Sequence, residues 1–276
     1  DSHFRTPLGV KIDRQNRLWV IDHDNHGADG AKIMAFDLAT GAIVHEHVFG
    51  RDVAPLGSFL QDFTIDQAAS TIYIADVSFF GRDPGIVVYD IATKTAHRVL
   101  SSHASVFPQN ILIRTATKPM KFYGGLIALK TGIDGVALSA DDAWLYYAAM
   151  NHPRLYRVPT AMLKDPKAPT KSIEALVEDL GPKPLSDGIT ADLAGGVYIT
   201  DVEHGAVMKR EADGRLVTLL KDPAKIRWAD SVGFGAGGAL LIADSAIPDQ
   251  MLMPRSHIES RKPYFIYRVD AGVAGV

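Results

Sequence analysis

Three aspartates, Asp134, Asp187 and Asp230, each stand directly ahead of a small residue and a short apolar strand, in Asp134-Gly135-Val136, Asp187-Gly188-Ile189 and Asp230-Ser231-Val232. Two further copies of the pattern put Leu8 with Gly9 and Gln61 with Asp62 in the same columns. If the strands that follow run beside one axis, these side chains form a ring of oxygens around it. Crowded carboxylates repel one another unless a cation or shared protons relieve them. A hard divalent ion is the simplest relief. Calcium takes six to eight oxygens at about 2.3 to 2.6 Å and suits an Asp/Gln ring better than magnesium, which wants a stricter octahedron. On this reading Asp134, Asp187, Asp230, Asp62 and Gln61 are metal ligands, and Asp187 and Asp134 carry any catalysis. The competing reading is structural, because Asp before Gly is also a turn element whose carboxylate accepts backbone N–H bonds.

A second set of groups sits in the loops. His23-Asp24-Asn25-His26 with Asp29 offers metal ligands or a proton carrier, since histidine titrates near neutral pH. Asn151-His152 and Glu203-His204 occupy the matching loops of later copies, where either histidine is a candidate general base over the channel. Phe79, Phe80, Phe122 and Tyr123 are candidates for the wall of an apolar pocket. For every one of these loop residues the alternative is a solvated or locally packed side chain. No glycine-rich phosphate loop and no nucleophile elbow is present.

The elements that would position these residues repeat. Five segments pair a short apolar strand ending near Asp or Ser with a second strand rich in β-formers, as in Phe63-Thr64-Ile65-Asp66 followed by Ile72-Tyr73-Ile74-Ala75-Asp76. A third strand follows each pair, and a fourth follows in four copies, at 43–49, 96–100, 174–178 and 216–220. Four antiparallel strands at a period of roughly 40 to 50 residues describe a propeller blade. The predicted fold is therefore all-β, one six-bladed β-propeller domain over 1–276, with five repeats visible and the sixth blade completed by residues ahead of Asp1. A β-sandwich would also show short strands, but without one motif five times over. Antiparallel order sends the second-to-third connections and the blade-to-blade connections to one face. The long stretches 101–132 and 245–263 belong to that face, which makes it the binding candidate. The stretch 164–171 reads as a solvated connector on the other.

Composition narrows the partners. A net charge of -3 gives no electrostatic footprint for nucleic acid. No run of about 18 apolar residues is present to span a bilayer. The chain opens Asp1-Ser2-His3-Phe4 without a leader, so a signal peptide already removed is compatible with it. The absence of cysteine suits cytoplasm and periplasm alike. The expected partner is a small molecule, and nothing in the pattern specifies an oligomer.

At Leu18-Trp19-Val20-Ile21-Asp22, Gln61-Asp62-Phe63-Thr64-Ile65-Asp66, Gly85-Ile86-Val87-Val88-Tyr89-Asp90, Asp134-Gly135-Val136-Ala137-Leu138-Ser139, Arg154-Leu155-Tyr156-Arg157-Val158-Pro159 and Ser186-Asp187-Gly188-Ile189-Thr190 the chain resembles the major royal jelly and yellow protein family. That resemblance implies six blades, secretion or a periplasmic location, and a site for small amines or lipids, with dopachrome conversion in some members. Without cysteines the chain looks more like a bacterial relative. It is more distantly similar to the gluconolactonase and senescence-marker family, whose members hold a divalent ion with Glu, Asn and Asp at the starts of innermost strands. Asp187 matches the Asp, Asp134 stands where Asn is usual, and Leu8 where Glu is expected. Two functions follow as expectations: a metal-dependent hydrolase of a small lactone or ester, with the ion polarising the carbonyl, and a non-catalytic binding protein for a small cationic or amphipathic ligand. A dopachrome-type isomerase is a third, by family analogy.

Overall fold

The computed structural model describes residues 3–276. Its first sheet contains β1 (Pro7–Ile12), β2 (Arg17–Asp22), β3 (Lys32–Asp37) and β4 (Ile43–Val48). The second contains β5 (Leu60–Ile65), β6 (Thr71–Asp76), β7 (Gly85–Asp90) and β8 (Thr95–Val99). A small hairpin, β9 (Lys121–Phe122) with β10 (Ile127–Ala128), interrupts the long loop that follows. The third sheet is β11 (Ile133–Leu138), β12 (Trp144–Ala149), β13 (Arg154–Pro159) and β14 (Glu178–Pro182). The fourth is β15 (Ile189–Ala191), β16 (Val197–Asp201), β17 (Ala206–Arg210) and β18 (Leu216–Lys221). The fifth has three strands, β19 (Ala229–Phe234), β20 (Ala239–Asp244) and β21 (Ile266–Asp270). Within each of these five sheets, strands consecutive in sequence are neighbours in space, which is the up-and-down order of a propeller blade.

The innermost strands pack in series, β1 on β5, β5 on β11, β11 on β15 and β15 on β19. Apolar layers fill the spaces between blades. Trp19, Ile21, Phe63, Ile72 and Tyr89 lie between the first two, Tyr73, Ile86, Leu145 and Tyr147 between the second and third, and Tyr198, Val232 and Leu240 between the last two. Burying each such side chain contributes roughly 1.5 to 3 kcal/mol. The β6 run Ile72-Tyr73-Ile74-Ala75 is buried throughout. It is covered on both faces, which is why it reads as continuous apolar sequence rather than as an alternation.

Five blades are what the described residues form. No comparable packing joins β19 back to β1 among them. Leu8, Val10 and Ile12 are exposed on β1, and Leu241, Phe265 and Ile266 on the fifth sheet, so the ring has one open side with apolar residues on both edges.

Two details depart from the sequence reading. The fourth strand of the third blade lies at Glu178–Pro182, and Thr170–Glu174 is a short helix. Pro169 stands immediately ahead of that helix with extended φ/ψ, an arrangement that starts a helix rather than a strand. The connector at 164–171 is also not wholly solvated, because Lys164 Nζ reaches Asp66 at 2.8 Å and ties the third blade to the second.

Two families of aspartate hold the blades in shape. On the lower face Asp13 accepts N–H bonds from Gln15 and Arg17 and from the Trp19 indole, Asp66 from Ser70 and Thr71, and Asp192 from Ala194 and Gly196. On the upper face Asp22, Asp76 and Asp244 end the second strands and accept the amides of Thr6, Phe59 and Trp228, latching the chain as it enters the innermost strand.

Candidate functional site

A third family of aspartates is built differently. In the third and fifth blades the innermost strand slips register against its neighbour between Ile133 and Gly135 and between Ala229 and Ser231, so Asp134 and Asp230 are the bulged residues. The second blade slips between Leu60 and Phe63, around Gln61 and Asp62. A bulge leaves its residue out of the ladder and re-aims the side chain. Here it turns carboxyl groups toward the axis.

Small residues let the innermost strands close in at this level. A Cβ on Gly135 would meet the Asp187 carbonyl oxygen at 2.8 Å, one on Gly188 the Asp230 carbonyl at 2.7 Å, and one on Gly9 the Gln61 carbonyl at 2.5 Å. The column read from sequence is thus one physical level of the channel, with Leu8, Gln61, Asp134, Asp187 and Asp230 around it.

Four carboxyl groups interact there. Asp134 and Asp187 are 1% and 3% exposed, while Asp62 and Asp230 are half-buried. Burial pushes Asp134 well above the usual carboxylate range and the charges of Asp62 and Asp230 push it further, while a hydrogen bond shared with the Asp187 carboxyl and the charge of Lys183 oppose the rise. Asp187 is raised by burial and then by Asp230 and Asp134, against the pull of the Trp228 indole, whose Nε1 donates to Asp187 Oδ2 at 2.6 Å. Asp62 is lifted to about 6 by burial, with Lys11 opposing and Asp230 adding. Asp230 is raised by burial, with the neighbouring Ser245 hydroxyl opposing.

The local-turn reading of this column is not what the geometry gives. Asp134 Oδ1 and Asp187 Oδ1 are buried with no hydrogen-bond partner, in contrast to the amide-saturated aspartates of the other two families. Orphaned buried carboxyl oxygens are costly and call for a guest or a proton. Their chemistry fits a cation. Among the described residues, however, no three His, Asp or Glu side chains are already drawn together as a metal cage.

One ammonium group belongs to the same neighbourhood and escaped the sequence reading. Lys183 is 5% exposed, and its Nζ donates to the Pro184 carbonyl at 3.0 Å and to Ser186 Oγ at 2.8 Å. Burial lowers it to about 7, against the opposing charges of Asp134 and Asp201. Its only sequence signal is its place between Pro182 and Pro184, ahead of Ser186-Asp187-Gly188.

An apolar cluster from the upper loops adjoins the acids. It joins Ile113, Met120, Leu129, Met150, Leu185, Val202 and Trp228, with Phe79, Phe122, Ile247 and Met251 against it. Trp228 belongs to both the cluster and the acid group, so the carboxyls lie beneath a roof made by the long loops. Phe80 and Tyr123, 64% and 65% exposed, stand outside this roof.

The loop polar residues are placed separately. His23 and His26 pack their rings on Phe59 at 4.3 and 5.0 Å, and Phe80 closes edge-on against His26. Burial takes His23 down to about 4, and Asp24, Asn25 and His26 run consecutively through left-handed φ. Asn151 uses its whole amide on the loop above it: Oδ1 accepts from Thr131 N and Oγ1, and Nδ2 donates to the Ile111 and Leu129 carbonyls. His152 is buried with Nε2 at 3.1 Å from the Gln109 amide and Nδ1 unpartnered. His204 lies at the surface, where Nδ1 pairs with Asp201 at 2.9 Å.

Comparison with known proteins agrees with this architecture. A family model described as major royal jelly protein matches residues 6–228. Major royal jelly protein 3 of Apis mellifera is 26% identical over 176 residues, which is 60% of this chain and 30% of that one. The matched stretches cover between 30% and 39% of the curated relatives, so the chain spans little more than a third of their length. Among solved structures, a gluconolactonase from Xanthomonas campestris has a TM-score of 0.55 at 16% identity, covering 86% of this chain and 68% of that one. A virginiamycin B lyase from Staphylococcus aureus has a TM-score of 0.56 at 11% identity, covering 98% and 69%. At these identities the likeness is one of fold. No helix in the described residues is long and apolar enough to cross a membrane.

Proposed function

The chain belongs to the major royal jelly protein family, and from that premise we propose that its axial group of carboxyls captures a small organic cation, with the charged end among the carboxyls and the apolar body against the Met, Phe and Trp side chains beside them. The observation that carries this reading is the pair of buried oxygens, Asp134 Oδ1 and Asp187 Oδ1, that lack a hydrogen-bond partner within a group of four carboxyls all raised by burial. A cation at that point relieves the repulsion and satisfies the orphaned acceptors together. In the full-length protein a sixth blade covers Leu8, Val10 and Ile12 and completes the ring, and the protein works outside the cytoplasm, secreted or periplasmic.

A calcium-dependent hydrolase of a small lactone or ester is the second reading, and it draws on the same unbonded oxygens. Asp134, Asp187, Asp230, Asp62 and Gln61 would hold the ion, which when bound supplies Lewis-acid polarisation of a carbonyl.

Calorimetric titration of the protein with a primary aromatic amine and, separately, with calcium chloride distinguishes the two. Asp187→Asn should weaken amine binding by at least about thirtyfold, the usual result of removing one partner of a buried charge pair. Unchanged affinity in that variant, or no amine binding by the wild-type chain, defeats the proposal. Tight calcium binding with lactone turnover that a chelator abolishes establishes the second reading instead.

A further inference from the structure

We infer that the crevice between the loop joining the fourth blade to the fifth and the loop between β20 and β21 is a binding site for a small aryl phosphate or sulfate. This goes beyond cation capture at the axis, takes the opposite charge and does not depend on it.

The crevice is a cavity of about 290 Å³, close to the lower end of the ~300 to 1,000 Å³ range of small-molecule pockets. Four cationic side chains, Lys225, Arg227, Arg261 and Lys262, line it together with the rings of Phe265 and Tyr267, and no acidic side chain of the described residues does. The acids paired with these cations lie outside the lining. Arg227 is the fixed wall: Nε donates to the buried Asp244 carboxylate at 3.0 Å, Nη1 to the Arg261 carbonyl at 3.0 Å, and its guanidinium lies 5.1 Å from the centre of the Tyr264 ring. Lys262 Nζ is engaged by Glu259 at 2.7 Å. Lys225 and Arg261 keep more of their charge available. Lys225 Nζ approaches Asp222, and Arg261 Nε approaches Asp249, only to 3.4 Å, longer than the ~2.7 to 2.9 Å of a charged hydrogen bond. Both side chains are more than half exposed and free to turn toward a ligand.

A tetrahedral oxyanion offers three acceptor oxygens to such donors, and a guanidinium meets it through two parallel N–H bonds. The aromatic half of the ligand follows from Phe265. That ring is 48% exposed although it sits 5.7 Å from the Tyr267 ring, tilted by 33°. Tyr267 is itself fixed by its hydroxyl, which donates to the Lys225 carbonyl at 3.0 Å. An anchored aromatic pair thus keeps open surface directly beside the cations, where an offset-stacked ring would cover it. An inorganic ion would leave that surface bare, whereas an aryl ester covers it while its charged group reaches Lys225 and Arg261.

The probes are phenyl phosphate, phenyl sulfate and inorganic phosphate, each titrated calorimetrically into the chain at pH 7.5 in low salt. The expected result is one aryl ester bound per chain, with an affinity that falls as sodium chloride is added and exceeds that of inorganic phosphate by ~2- to 10-fold, the usual effect of one stacked ring pair. The tighter of the two esters identifies the anionic group. Phe265→Ala should remove the preference for the ester and leave inorganic phosphate binding unchanged. Lys225→Gln combined with Arg261→Gln should weaken all three probes by at least about tenfold. Asp187→Asn, which tests the axial cation site, should leave ester binding unchanged, so the two proposals fail separately. No ester binding by the wild-type chain, no preference over inorganic phosphate, or undiminished affinity in the double variant overturns the inference. The wild-type titrations decide even if a variant fails to fold.

Discussion

Replacing Asp62 by Asn should make the protein more stable above neutral pH and leave it nearly unchanged near pH 4. Burial lifts the Asp62 carboxyl from 3.8 to about 6, Lys11 opposing and Asp230 adding. A group that binds its proton more tightly when folded than when unfolded stabilises the fold while protonated. That advantage is complete below about 3.8 and is lost as pH rises, the full penalty standing above about 6. At about 1.4 kcal/mol for each tenfold in proton affinity, the penalty is ~3 kcal/mol. For a chain of this size that corresponds to a rise in melting temperature of about 6 °C for Asp62→Asn at pH 7.5. An unsatisfied Asn amide adds an offset that does not vary with pH, so the readout is the slope of the stability difference, taken from thermal melts between pH 4 and 8. A flat difference, or one that grows toward acid, refutes the account of the chamber. An amine that enters the site should raise the wild-type melting temperature more than the variant's.

Two further outcomes test other parts of the structure. Gly135→Ala sets a Cβ 2.8 Å from the Asp187 carbonyl and 2.9 Å from Ile189 N, both backbone atoms, so it should cost about 1 to 3 kcal/mol in denaturant unfolding and weaken cation binding as Asp187 shifts. His45, bonded through Nε2 to the Tyr89 hydroxyl at 2.7 Å, is held down to about 4 by burial and by the charges of Lys94, Arg17 and His47. Its contribution is therefore complete above about 6.5 and lost as pH falls toward 4, about 3 kcal/mol in all. His45→Gln should flatten that acid limb of the stability curve, opposite in slope to the effect of Asp62→Asn.

The repeat was legible because buried strands reproduce their β-formers and their terminal Asp at a fixed period, and alignment of the copies found the column of Asp134, Asp187 and Asp230. What sequence leaves open is which aspartates are bare. Asp13, Asp22 and Asp134 stand in similar company, and only coordinates reveal that the first two are saturated by amides while the third is not. Asp134 stands at a register slip between Ile133 and Gly135, a property of strand pairing rather than of residue type. Lys183 was missed for a related reason. Lysine is nearly always exposed, and nothing in the residues around Lys183 marks the loop that buries it. In the third blade, Val177 and its neighbours resemble a strand beginning, yet Pro169 commits the preceding turn to helix.

The three aspartate families also bear on why the chamber exists. A propeller blade needs an acceptor at each tight turn and at each entry to the innermost strand, and the lower and upper families meet that need with hydrogen bonds that stabilise folding. The axial family does the reverse. Asp134 and Asp187 are buried and Asp62 and Asp230 half-buried, burial raises all four, one oxygen on each of the first two has no donor, and the apolar side chains beside them lower the local dielectric. Asn at these positions would have a similar size without the charge. A positively charged guest would offset that destabilisation, as protons do at lower pH, and the amine titration measures which of the two answers these acids near neutral pH. Lys183 is the ammonium that Asp134 feels from within the fold, and burial lowers it to about 7 against the charges of Asp134 and Asp201.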